Sequence, residues 1–325
     1  MDIVNMPAEL FADVIDALVS SIGYYKALRL RTVSKLFNHF ILHAIFDSQA
    51  INFLEPDQID SLTAQMSPPL VARVIFAQTK LNPDRNHVVS AICRAVQALD
   101  SHSHGQKTDE QRLENTIAVC EAVAQHLNLA RGGAFDFLRE GNRNFSEAED
   151  IQNALSAAIV VGNITMVQTL IDTDKCADIN AENTYFARPL LLAAKWGRLE
   201  IVQLLLDRGA DVHFIGDIHA TMRHRCSSNC YYTSDGSALR VASLAGHDHI
   251  VRTLLQPRYG ISTSGLEYEK AVLAATCGGH ADLVLLLLGY FTAPPYILHH
   301  KIFWAASYHG RKAIVQIVFE HWRNS

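Results

Sequence analysis

The chain has 325 residues, 49% of them hydrophobic and 19% charged, with a formal net charge of −5. That length accommodates two modules with sizeable cores, and the mild acidity argues against general binding to a nucleic-acid backbone. No apolar run is long enough to span a bilayer. Met1-Asp2-Ile3-Val4-Asn5 lacks the basic stretch and apolar core of an export signal, and the six cysteines are scattered, so reduced thiols in the cytoplasm or nucleus are expected.

The first element begins at Met6-Pro7-Ala8-Glu9-Leu10-Phe11, which predicts a helix with proline near its first turn. Leu10, Phe11, Val14, Ile15, Leu18 and Val19 form one apolar stripe along it. Leu28 to Phe37 follow, and then a third apolar group of Phe40, Ile41, Ala44 and Ile45. Two half-motifs stand in order here: Met6-Pro7-Ala8-Glu9-Leu10, with Val14 and Leu18 seven and eleven places past the proline, and Leu30-Arg31-Thr32-Val33-Ser34-Lys35. Together they resemble an F-box, over roughly residues 3–48. Met6 stands where that family has Leu, and the span from Leu18 to Val33 is about four residues longer than the family's. The resemblance implies docking on the Skp-type adaptor of a cullin–RING ubiquitin ligase through Pro7, Leu10, Val14, Leu18, Leu30 and Val33. A segment of this size cannot bury an adequate core alone, so it must lean on a neighbour or a partner. An ordinary helical cap on the next domain is the plainer reading of the same residues.

Residues 51–146 predict further helices. Ser67-Pro68-Pro69 reads as a helix start, backed by Leu70, Val71, Val74 and Ile75. Val88, Val89, Ile92 and Val96 make a short stripe, residues 100–109 a polar loop, and Leu113, Ile117, Cys120, Ala124 and Leu127 a longer stripe ended by Gly132-Gly133. The segment is either a helical linker or a set of degenerate repeats.

From residue 147 a pattern returns five times: apolar-x-x-Ala-x-x-x-Gly, with apolar residues five and eight places after the glycine. The glycines are Gly162, Gly197, Gly246, Gly279 and Gly310, which stand 35, 49, 33 and 31 residues apart. Ala158, Ala193, Ala242, Ala275 and Ala306 sit four before them, and Leu155, Leu190, Leu239, Val272 and Phe303 three before those. The spacing predicts a helix, a turn with left-handed backbone at the glycine, and an antiparallel helix that buries its Val and Leu. One such hairpin cannot cover its own apolar side, so neighbours must stack into a solenoid. Arg188 to Leu206 followed by Gly209-Ala210-Asp211-Val212 resembles the ankyrin repeat, as do Gly246-His247 and Gly279-His280, although the family's Thr-Pro-Leu-His opening is incomplete in all five copies. The resemblance covers residues 147–325 and implies a surface that holds other proteins.

The long step signals an insertion near residues 214–235, carrying His219, His224, Cys226, Cys230, Tyr231 and Tyr232. Cys226 and Cys230 with a nearby His could hold zinc, but no second cysteine pair accompanies them, so a solvated loop on the recognition edge is expected. The resemblance places Lys195, Trp196, Tyr231, Tyr232, Tyr308 and His309 as candidate target contacts. Trp196 could equally fill space between repeats. No phosphate loop, nucleophile elbow or zinc-protease motif is present, and no cofactor or metal is expected. The apolar last helix, Ala313 to Trp322, predicts a sticky end that packs in a dimer, is covered by a target or is followed by further repeats. The expected fold is thus all-α: an F-box-like segment over residues 1–50, the helical region over 51–146 and an ankyrin solenoid over 147–325. The expected role is non-enzymatic, a substrate receptor with no nucleic-acid or membrane partner. An ankyrin scaffold without a ubiquitin role is the alternative, and an enzyme with a pocket in the groove the remote one.

Overall fold

The computed structural model describes residues 6–46, 67–102, 108–127, 138, 140–173, 177–216, 236–291 and 296–324, with backbone alone at 24, 25, 296 and 321–324. The protein is all-helical, with no strand among the described residues. It divides into two compact units, Met1–Ser146 and Glu147–Ser325.

In the first unit, α1 (Ala8–Ile22), α2 (Tyr24–Leu30) and α3 (Lys35–Phe46) pack on one another. Phe11, Ile15 and Val19 recur every fourth residue along α1, so they fall on one helical face, which is buried. Phe11 meets the edges of Phe37 and Phe40 at ring separations of 5.7 and 5.0 Å, a geometry the aromatic quadrupole favours. Ser34 starts α3, its hydroxyl accepting from the Phe37 amide at 3.2 Å. Next come α4 (Pro68–Leu81), α5 (His87–Ser101) and α6 (Asp109–Leu127), with α4 packed against both α5 and α6. Pro68 and Pro69 open α4 as expected, but the Ser67 side chain makes no cap, and it is its carbonyl that accepts from Leu70 and Val71. Only the second half of the α6 stripe is core: Cys120, Ala124 and Leu127 are buried while Leu113 and Ile117 are exposed. Gly132 and Gly133 lie outside the described residues.

The second unit holds five helical hairpins: α7 (Glu147–Val161) with α8 (Ile164–Asp172), α9 (Pro189–Lys195) with α10 (Leu199–Asp207), α11 (Ala238–Ala245) with α12 (Asp248–Leu254), α13 (Leu266–Gly278) with α14 (Ala281–Leu288), and α15 (Tyr296–Tyr308) with α16 (Lys312–Asn324). The first helices stack in series, α7 on α9, α9 on α11, α11 on α13 and α13 on α15. All five signature alanines are fully buried, so the inner helices approach without side chains to separate them. All five signature glycines have positive φ, from 66° to 90°.

After four of the five glycines the next residue ties its repeat to the one before, whereas Asn163, after Gly162, caps its own helix by accepting from the Met166 amide at 3.1 Å. The Arg198 guanidinium donates to the Val160 carbonyl, with Nε at 3.1 Å. Arg311 does the same to Cys277 at 3.1 and 2.9 Å. His247 Nε2 lies 3.2 Å from the Lys195 carbonyl and His280 Nε2 3.0 Å from that of Leu244. A carbonyl only accepts, so each of these ring nitrogens carries the proton. The four acceptors all stand two residues before a glycine, among the last carbonyls of an inner helix, which have no partner within that helix. Glycine is required there on a second count. A Cβ at Gly197 would lie 2.7 Å from the His247 ring, and one at Gly246 only 2.4 Å from that of His280.

On the opposite edge, Asn180 bridges the first two hairpin loops, donating to the Gly209 carbonyl at 3.3 Å and accepting from the Asp211 amide at 2.8 Å. Asp172 and Arg208 pair across the outer helices of the same two repeats. The fifth copy departs from the expected pattern. Phe303 stands where the other four copies bury Leu155, Leu190, Leu239 and Val272, yet it is exposed. Each counterpart of Phe303 lies on an inner helix that packs against the inner helix of the following repeat.

Candidate functional site

α1 is apolar on more than one side. Phe11, Ile15 and Val19 face inward, whereas Leu10 and Val14, also four apart, are half exposed, at 50% and 52%. The single stripe expected from the sequence is therefore two adjacent ones. Leu18 and Leu30 are partly buried, Pro7 is exposed, and Val33 stands 65% exposed in the turn before α3. Leu36, on the first turn of α3, is exposed as well, and its place beside the Val33 turn marks it as a member that the motif alone had not singled out. Leu10, Val14, Val33 and Leu36 leave large apolar side chains in water within one small bundle. Scattered apolar exposure is ordinary, but a helix whose second apolar face points outward is the pattern of a docking element.

In the second unit the candidate contacts are not gathered at one place in the chain. Trp196 ends α9, half-buried, with its Nε1 meeting no acceptor among the described residues. Lys195 beside it is partly buried, and its carbonyl receives His247. In the last repeat Tyr308 and His309 stand at the places of Lys195 and Trp196; Tyr308 is exposed and stacks on Trp304 at 5.9 Å, while His309 is partly buried. Tyr231 and Tyr232 lie outside the described residues, as do His219, His224, Cys226 and Cys230 of the insertion. Among the described residues no three His, Cys, Asp or Glu side chains converge as metal ligands.

The insertion springs from Gly216 and Gly236, whose backbones bond at 3.2 Å. Beside its base is a cleft of about 190 Å³ lined by Val212, Ile215, Leu239, Ile261, Glu267 and Tyr268. Beneath it Arg240 is fully buried with its Nη1 3.8 Å from Glu267, and Lys270 reaches the same carboxylate at 3.3 Å. Arg240 stands where the family's opening tetrapeptide has His, so this departure replaces a neutral group with a buried ion pair. The incomplete openings are otherwise compensated. Ser237 caps α11 by accepting from Arg240 N at 3.3 Å. Arg188 precedes Pro189 at the start of α9 and lays its guanidinium 3.5 Å from the centre of the Phe214 ring. Tyr268 donates its hydroxyl to the Leu287 carbonyl at 2.8 Å, and burial pushes its pKa up.

Residues 117–215 match the family described as ankyrin repeats (3 copies). The match thus begins within α6 of the first unit and runs through α10 of the second. Similar curated proteins are named ankyrin repeat, SAM and basic leucine zipper domain-containing protein 1. The human protein is 32% identical over 81 residues, 25% of this chain and 17% of its own length. The one from Ornithorhynchus anatinus is 24% identical over 143 residues, 44% of this chain and 27% of its own. The one from Dasypus novemcinctus is 26% identical over 142 residues, with the same shares. The chain therefore spans between about a sixth and a quarter of the relatives it matches. No helix among the described residues is long and apolar enough to cross a membrane. Consecutive hairpins, glycine turns and the family match agree: the chain carries ankyrin repeats, a module that implies a protein-binding scaffold.

Proposed function

We propose that this protein is the substrate receptor of a cullin–RING ubiquitin ligase, joining a Skp-type adaptor to a target protein and catalysing nothing itself. The observation that carries the reading is the outward apolar face of α1 with the neighbouring turn: Leu10, Val14 and Val33 are exposed beside a core already filled by Phe11, Ile15 and Val19. Pro7, Leu18 and Leu30 complete the docking set. The repeats then hold the target, with Lys195, Trp196, Tyr308 and His309, and Tyr231 and Tyr232 of the insertion, as the contacts. Receptor and ligase module on one chain raise the effective concentration of target at the ligase. The hairpin of α4 and α5 stacked on α6, together with a family match that starts at residue 117, favours worn repeats over a linker for residues 51–146.

The test is co-precipitation of a purified Skp-type adaptor with the full chain. Wild type should retain the adaptor. Leu10→Asp with Val14→Asp should lose it, because two carboxylates would be desolvated in the contact. Both positions are half exposed, so the helical circular-dichroism signal and the melting temperature should stay within a few degrees of wild type. A folded wild-type chain that retains no adaptor leaves an ankyrin scaffold without a ubiquitin role.

A further inference from the structure

We infer that the last repeat is a self-association face, through which two copies of this chain pack end to end. The inference is independent of the adaptor reading and rests on a comparison within the molecule. Three positions of each inner helix, at seven, six and three places before its glycine, are buried in all four repeats whose inner helix packs against a following one. In the first four repeats the two earlier positions are filled by Leu155 and Ser156, Leu190 and Leu191, Leu239 and Arg240, and Val272 and Leu273. All eight are at most 4% exposed. In the fifth the same two positions are Phe303, 47% exposed, and Trp304, 50% exposed. The third position is fully buried in each of the first four repeats, yet Ser307 is exposed. The outer helix repeats the contrast. Phe319 is 60% exposed, whereas its counterparts Leu206, Leu255 and Leu288 are buried and Ile171 of the first repeat is partly buried.

The sequence points to α16 as the source of stickiness. The structure moves the weight to α15, since Ile314 and Val318 of α16 are buried within the repeat. What remains outward is a stacking face, built to the same plan as four buried ones and enriched in aromatic rings.

Area and charge favour a second copy as the occupant. An aromatic side chain buries roughly 150–250 Å². Phe303, Trp304, Tyr308, Phe319 and the exposed Ile297 of α15, each about half available, therefore offer on the order of 500 Å² per copy. A twofold contact doubles this to about 1,000 Å², where specific interfaces begin. A twofold axis sets each face against itself, which penalises any face with a central charge. Phe303, Trp304, Ser307 and Phe319 carry none, and Lys301 nearby is already held by Glu269 at 3.1 Å.

Sedimentation velocity of the full chain between about 1 and 100 μM tests the proposal. The expected result is a concentration-dependent monomer–dimer equilibrium. Trp304→Asp and, separately, Phe319→Asp should each weaken the dimer at least about tenfold, as truncated aromatic anchors do. Leu10→Asp, on the other unit, should leave the dimer unchanged. Because Phe319 is largely exposed, its variant should keep the wild-type melting temperature and separates lost association from lost folding. A chain that stays monomeric at the highest concentration, its aromatic face awaiting another protein, overturns the proposal. So does a dimer that both variants leave intact.

Discussion

The inter-repeat staple can be weighed by changing one glycine at two places. Gly246 and Gly310 occupy the same position in their repeats, with φ of 80° and 66°. Alanine at either costs about 1–2 kcal/mol for left-handed backbone alone. At Gly310 nothing lies within 4 Å of the added Cβ, so the cost stops there. At Gly246 the Cβ would lie 2.4 Å from the His280 ring. The ring must move, and the bond at 3.0 Å to the Leu244 carbonyl breaks. A lost hydrogen bond with a carbonyl left short of a partner adds about 1–3 kcal/mol. Gly246→Ala should therefore cost about 2–5 kcal/mol in total, and Gly310→Ala about 1–2 kcal/mol. For a chain of this size the extra loss lowers the melting temperature by about 2–4 °C per kcal/mol. Urea titration and thermal melting of both variants read the difference, and His280→Ala supplies a third point, since it removes the staple without the backbone strain. Equal losses at Gly246 and Gly310 would refute the reasoning, because the close approach of His280 would then carry no energy.

Two further predictions concern titration in the first unit and thiol reactivity in both. Burial holds the His87 pKa below its ordinary value against the opposing pull of Glu140, 3.0 Å away. As pH falls below about 6.5 the unfolded chain takes a proton that the native state resists, so stability should drop with falling pH, and His87→Gln should flatten that slope in urea melts at pH 7.5 and 5.5. Burial also raises the thiol pKa values of Cys93, Cys120 and Cys277. Mass-resolved maleimide labelling at pH 7.5 should find Cys120 and Cys277, both buried, protected until denaturant is added.

Much of the second unit is legible from a few residues because its physics is repeated. The Ala-x-x-x-Gly spacing encodes a close helix approach and a left-handed turn, and both recur five times in the structure. His247 and His280 were recognisable at their turns, but Arg198 and Arg311 were not. The signal lay in the position, directly after the glycine, since two different side chains can donate to the same carbonyl. Phe303 fits the repeated spacing and is nonetheless exposed, because spacing reports a residue's direction and not what stands there to meet it. Residues 51–146 stayed opaque because Asn82 to Asn86 connect α4 to α5 without the Ala-x-x-x-Gly mark. In α1 the six apolar residues could not be divided by sequence alone. Leu10 and Phe11 are neighbours, and only packing against Phe37 and Phe40 shows which one faces in.

The central claim is that the first helices dock on an adaptor, and hydrogen–deuterium exchange of the full chain with and without a purified Skp-type adaptor tests it most directly. The account predicts slowed exchange in peptides covering α1 and the turn through Val33 to Leu36, with the repeats unchanged. Unaltered exchange over residues 7–36, at adaptor concentrations that saturate a known F-box protein in parallel, would contradict it.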